Sequence, residues 1–184
     1  MKKTTALVIL ALLSLSCVLA ADSGGFNFGI GWRVTNDNST TISILAPDGS
    51  ELVVGDSGNK ERQMEVIAEE QDAFKLRIHT NEAKRHSFLF QMTPFIMNDS
   101  SKAGFRIRFM LNDPTLGIQN EGICYVGNTE DLYPVSGERF GAEFNLTNLS
   151  DFVDVDIDFY ITFTDMEKMN GESSATITIT EEAQ

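Results

Sequence analysis

Asp154, Asp156 and Asp158 form the densest concentration of chemistry-bearing side chains in the sequence, set at alternate positions of Val153–Thr164. On an extended strand, alternate residues point to one side at a Cα spacing of roughly 6.5–7 Å. The three carboxylates therefore form a row that could share a calcium ion. Calcium is usually held by a loop that wraps the ion with carboxylates and carbonyls around a glycine turn. A flat row has no such wrap. The competing reading is a solvated face neutralised by an adjacent strand, and Arg106 and Arg108 are the expected donors, since they alternate with Phe105, Ile107 and Phe109.

Other candidates are sparser. His79 and His86 flank the Asn81–Arg85 turn and, with Glu82, could face one another around a metal, although their spacing is not that of a zinc site. Cys17 and Cys124 are the two cysteines. Cys124, between Ile123 and Tyr125, is expected to be a buried small hydrophobe, and no partnering base is identifiable for it as a nucleophile. Trp32 follows Phe26 and Phe28 on one face of a short alternating segment. Exposed, it would offer a platform on which a sugar ring could stack; buried, it would be core.

The elements that must position these residues are strands. Val153, Val155, Ile157, Phe159, Ile161 and Phe163 alternate with polar side chains over twelve residues, Val153–Thr164, which is a strand with one dry and one wet face. The same period recurs at Phe26–Val34, Thr41–Leu45, Ala73–His79, His86–Met92, Phe105–Phe109, Phe140–Leu146 and Ala175–Thr180. Ala46-Pro47-Asp48-Gly49-Ser50 predicts a hairpin between Thr41–Leu45 and Glu51–Val54. Arg62–Ala68 and Ala73–His79 read as a further pair, and Lys60–Gln71 holds the one candidate helical stripe. Asn112–Glu138 is the least regular region, anchored by Ile118 and Ile123–Val126, and such an excursion reads as functional or mobile. Many short strands without helical crossovers predict an all-β fold, an antiparallel β-sandwich, with a closed barrel as the lesser alternative.

Residues 1–20 read as a cleaved signal peptide: Lys2 and Lys3, the apolar run Ala6–Leu15, and Val18-Leu19-Ala20 before the cut. The apolar run is too short to span a bilayer, which needs roughly 20 residues. A lipid anchor on Cys17 is the rival reading, weakened by Ser14 and by the apolar residues after Cys17. Residues 21–184 are then a single domain, exported to the periplasm or the cell surface. With only Cys124 left, no internal disulfide is possible, so the fold rests on its core. The chain carries 27 acidic against 14 basic residues, a formal net charge of −13. Such a surface repels phosphate backbones and anionic lipid, which excludes nucleic acid as a main partner. Four Asn-x-Ser/Thr sequons occur, at Asn38, Asn98, Asn145 and Asn148. The short Lys-Lys leader favours a bacterial source, where they are incidental.

Three short stretches are similar to known families. Asp22-Ser23-Gly24-Gly25 is similar to the segment around the nucleophile of chymotrypsin-like serine proteases. In that family the histidine and second aspartate come before the serine, whereas here only the leader does. Gly29-Ile30-Gly31-Trp32 resembles the Gly-x-Trp of lipocalins with the spacing off by one. Gly171–Thr180, GESSATITIT, resembles the closing strand of bacterial fimbrial and related exported Ig-like subunits. That resemblance implies an Ig-like or pilin-like sandwich with a structural role, assembled by strand addition between subunits. The chain departs from chaperone–usher pilins in lacking the cysteines for their disulfide. These features together point to a non-catalytic structural or binding module of the bacterial cell envelope, a fimbrial or adhesin-like protein contacting other subunits or surface glycans. A secreted carbohydrate- or calcium-binding β-sandwich domain is the alternative.

Overall fold

The computed structural model describes residues 26–33, 40–56, 58–169 and 173–182, with the backbone alone for Phe26–Arg33. The leader, Cys17, Asp22–Gly25 and Gly171 lie outside the described residues. The strands are β1 (Phe26–Arg33), β2 (Thr40–Leu45), β3 (Val53–Val54), β4 (Lys60–Met64), β5 (Gln71–Thr80), β6 (Arg85–Met92) and β7 (Phe95–Met97). They continue as β8 (Lys102–Ala103), β9 (Phe105–Asp113), β10 (Ile118–Val126), β11 (Gly141–Asn145), β12 (Val153–Phe163) and β13 (Ser173–Glu181). One short 3-10 turn, Met166–Lys168, interrupts them. No helix among the described residues is long and apolar enough to cross a membrane.

Alternation decides which way each strand faces. In β12, Val155, Ile157, Phe159, Ile161 and Phe163 are buried while the aspartates between them reach solvent. Phe74, Leu76 and Ile78 of β5 and Phe105, Ile107, Phe109 and Leu111 of β9 repeat the pattern beside it. These strands form a five-stranded sheet ordered β10-β9-β12-β5-β2. A second, eight-stranded sheet runs β11-β6-β13-β1-β4-β3, with β7 beside β13 and β8 beside β7. Among the described ladders all are antiparallel except β1 with β13.

The dry faces of the two sheets meet through phenylalanine. Phe90 of β6 stands edge-on to Phe109 and Phe159 of the other sheet, with ring centroids 5.5 and 4.9 Å apart. Phe95 of β7 packs on Phe105 at 5.2 Å and on Phe163 at 5.4 Å. Edge-to-face pairs of this kind add about 0.5–1.5 kcal/mol to the burial of each ring. The fold is all-β with antiparallel sheets, consistent with a β-sandwich.

Several local expectations change. The hairpin turn forms, with the Ala46 and Ser50 backbones bonded and Gly49 at φ +87°, a left-handed conformation that costs glycine nothing. After the single bridge Leu45–Glu51, however, its arms part: β2 joins β5 in one sheet and β3 joins β4 in the other. Of the candidate stripe Lys60–Gln71, Lys60–Met64 is strand β4, bonded by β1 on one side and β3 on the other. Arg62–Ala68 does not pair with Ala73–His79; β4 and β5 belong to different sheets. The Asn112–Glu138 excursion contains β10, nine residues in unbroken register with β9.

Phe90 is fully buried against three rings, so Phe90→Ala should cost about 3–5 kcal/mol of stability. Phe152, half exposed, should cost under about 1 kcal/mol on the same change. Urea denaturation of the two variants checks the difference; equal losses would mean that the sheets do not meet where described.

Candidate functional site

Asp154, Asp156 and Asp158 stand on the outer face of β12, and the register with β5 sets them opposite His79, Arg77 and Lys75 respectively. Each acid therefore meets a basic or imidazole side chain on the neighbouring strand. Arg77 grips Asp156 with two parallel bonds, Nε to Oδ1 and Nη2 to Oδ2, both 2.8 Å. Lys75 Nζ lies 3.2 Å from Asp156 Oδ2 and 3.6 Å from Asp158 Oδ1. His79 Nδ1 is 2.7 Å from Asp154 Oδ1, and its ring stacks on Phe152 at 4.7 Å, nearly parallel.

The charges respond to this arrangement. Burial works against the charge of Asp156, yet the hydrogen bonds and fields of Arg77 and Lys75 prevail and hold its carboxyl below the usual range. The bond to Asp156 raises Arg77 above its ordinary value. Lys75 is opposed by desolvation but is raised overall by Asp156 and Asp158.

Arg106 and Arg108, the expected donors to the row, serve a different acid. Arg108 Nη2 donates to Glu70 Oε2 at 2.6 Å, and Arg106 Nη2 to Glu70 Oε1 at 3.1 Å. The Arg108 guanidinium also lies 4.2 Å over the Tyr160 ring. The reason is register. β9 runs beside β12 with Arg108 opposite Tyr160 and Arg106 opposite Thr162, and it reaches the aspartates only at Met110, opposite Asp158. From the sequence, β5 and β9 offer similar alternations of apolar and basic residues, Lys75, Arg77 and His79 against Arg106 and Arg108, and the three-dimensional pairing separates them.

A hollow of about 340 Å³ lies along the row, bounded by the three aspartates, Lys75, Met110, Asn112 and Asp113. Asp113 is occupied locally, its Oδ1 accepting from the Thr115 and Leu116 backbones. Lys75 lies where a cation shared by Asp156 and Asp158 would sit, so an ammonium of the chain itself supplies the positive charge. Among the described residues, no three His, Cys, Asp or Glu side chains converge in a metal-ligating arrangement.

The remaining candidates are scattered. His86 sits in the other sheet, buried and stacked on Phe144 at 5.1 Å, so it does not meet His79. Its Nε2 lies 3.4 Å from the Glu82 carbonyl and its Nδ1 3.6 Å from Glu181 Oε1. Cys124 is half-buried and not fully enclosed; desolvation, with a contribution from Glu138, pushes its thiol up to about 11. Trp32 has its backbone opposite Ile179 in the β1–β13 ladder, and its side chain lies outside the described residues.

Sequence reasoning missed the outer side of β10. Ile123 and Tyr125, expected as core anchors, are 52% and 67% exposed. The parity of β10 assigns the inward positions to Ile118, Gly122, Cys124 and Val126, and a Cβ on Gly122 would lie 2.5 Å from the Phe109 ring. Ile118, Cys124 and Val126 fall on that parity, but Asn120 and Gly122 between them interrupt the apolar alternation that would mark it. No protein-family model and no curated protein matches the chain.

Asp156 has its folded-state pKa depressed relative to the unfolded value near 3.9. Its contribution to stability is thus present above about pH 4 and is lost as pH falls through the folded value. Urea unfolding from pH 7 to pH 3 should show that loss, and it should shrink in Asp156→Asn. A double-mutant cycle of Arg77→Met with Asp156→Asn should return a coupling of about 1 kcal/mol. Zero coupling would mean that the Arg77–Asp156 pair does not help hold β5 to β12.

Proposed function

We propose that the chain is a non-catalytic structural or binding module of a bacterial cell envelope, exported through residues 1–20 and folded as an Ig-like β-sandwich. The observation that carries this reading is the β5–β12 ladder. The richest row of ionisable groups in the chain is engaged in holding one strand to the next, Arg77 to Asp156 above all, and the hollow beside it is bounded by the same paired side chains. Charges spent in this way make a wall. The ends of the sheets support the same reading. β2 and β10 end the five-stranded sheet and β3 and β11 end the eight-stranded path, which are the positions where strand addition takes place. Beside β2 an open groove of about 430 Å³ runs past Ile42, Ile44, Leu45 and Lys60. The closing strand β13, with Ala175, Ile177 and Ile179 inward, has the alternation of exported Ig-like subunits.

A second reading, a calcium-binding domain, draws on the acidic hollow beside Asp154, Asp156 and Asp158. Lys75 within that hollow weighs against it.

Fractionation of the producing cells tests the main reading. The chain should be released with the periplasm or from the surface, and mass spectrometry should find its first residue at Ala21. A cytoplasmic chain that keeps residues 1–20 would overturn it. Millimolar calcium should leave the melting temperature unchanged, because binding to the folded state alone would raise it. A rise of several degrees would transfer the proposal to the calcium reading.

A further inference from the structure

β10 ends the five-stranded sheet, and on the side away from β9 it is tied over only part of its length. β9 pairs with it from Ile118 to Val126. On the other side, the Asn120 side chain accepts from the Glu143 backbone of β11 at 3.3 Å, which ties the first half of β10 to the other sheet. Among the described residues, no backbone hydrogen bond joins Gly122–Val126 to any segment other than β9. This stretch, Gly122-Ile123-Cys124-Tyr125-Val126, holds no charge and no proline in a chain of net charge −13. It exposes Ile123 and Tyr125 side by side on its outer face. Edge strands are ordinarily guarded by lysine, proline, a bulge or a covering segment. Gly122–Val126 holds no lysine and no proline, and its register with β9 has no bulge.

We propose that Gly122–Val126 is the contact between two copies of this chain, which pair edge to edge and antiparallel about a twofold axis through Cys124. The occupant is chosen by self-complementarity. A twofold contact sets residue i of one copy opposite residue j of the other and j opposite i. With the axis at Cys124, Ile123 faces the partner's Tyr125 and Tyr125 faces the partner's Ile123, giving two aromatic–aliphatic cross-strand pairs. An axis at Gly122 would instead oppose Ile123 to Glu121, and one at Ile123 would oppose Tyr125 to Glu121. Only the Cys124 register joins apolar to apolar twice and keeps Glu121 out of the contact. It also uses the half of β10 that β11 leaves open. The two five-stranded sheets then continue into one another, with Arg106 and Arg108 flanking the join on the adjacent strand. Small buried area and net negative charge make the association weak and strengthened by salt. This contact does not depend on where the chain is exported.

Sedimentation of the purified chain over a concentration series, at low and at high salt, should show a monomer–dimer equilibrium that shifts toward dimer as salt rises. Ile123→Glu and Tyr125→Glu, both at exposed positions, should each weaken it at least tenfold without moving the melting temperature. Register has its own readout. In a Cys124→Ser background, Ile123→Cys chains mixed with Tyr125→Cys chains in a glutathione redox buffer should form the mixed disulfide faster than either forms a disulfide with itself. A chain that stays monomeric throughout, a dimer indifferent to both glutamates, or a mixed pair with no kinetic advantage would overturn the proposal.

Discussion

The register of β12 between β5 and β9 is the constraint on which the rest of the structure depends. A slip of one residue would turn Val155, Ile157, Phe159 and Ile161 to solvent and bury Asp156 and Asp158. The same register also seats each aspartate opposite a basic or imidazole side chain of β5 and seats Tyr160 beneath Arg108. Hydrophobic and ionic requirements thus select one alignment. The hydrophobic part dominates, since a phenylalanine side chain contributes about 1.5–3 kcal/mol on burial while an exposed ion pair contributes about 0–1 kcal/mol. The charges discriminate among alignments that burial alone has already restricted.

That division of labour explains why so acidic a chain can carry a row of aspartates on one strand. Unpaired carboxylates at this spacing would repel one another. Lys75, Arg77 and His79 answer them from β5, and Glu70 answers Arg106 and Arg108 from outside the ladder. The outer side of β5, β12 and β9 consequently carries matched charges, although the chain as a whole is strongly negative. A matched face has little spare field with which to attract an ion.

What could be read in advance was whatever depends on neighbours along the chain. Val153–Phe163, Phe105–Phe109 and Phe74–His79 declare their faces by alternation, and Pro47-Asp48-Gly49 declares its turn. Pairing partners could not be read in this way. β5 and β9 both present basic residues between apolar ones, so alternation alone does not say which of them faces Asp154, Asp156 and Asp158. β10 escaped because Asn120 and Gly122 occupy positions where an apolar residue would have marked the inward face, and the Phe109 ring fills the space above Gly122. Arg62–Ala68 reads as a strand and overlaps β4, but the polar residues of Lys60–Met64 do not say which sheet it joins, and β1 and β3 decide that.

The eight-stranded sheet is built from distant parts of the sequence. β1 lies between β13, which it meets in parallel, and β4, which it meets antiparallel. Strands so far apart must find one another before this sheet can close, and loop-closure entropy opposes each such meeting until the contacts form. The five-stranded sheet is also non-local, β5 reaching β12 across nearly eighty residues at the Arg77–Asp156 pair. During the interval before closure, open strand edges are the hazard. The eight-stranded sheet is left with short strands at its ends, Val53–Val54 and Gly141–Asn145, whereas the five-stranded sheet ends in the nine-residue β10. Edge protection by shortness is therefore present on one sheet and missing on the other. Of the nine residues of β10, Asn120 is tied to β11 and Glu121 carries charge, which leaves Gly122–Val126 as the stretch where the chain's tolerance of an open edge must come from another source.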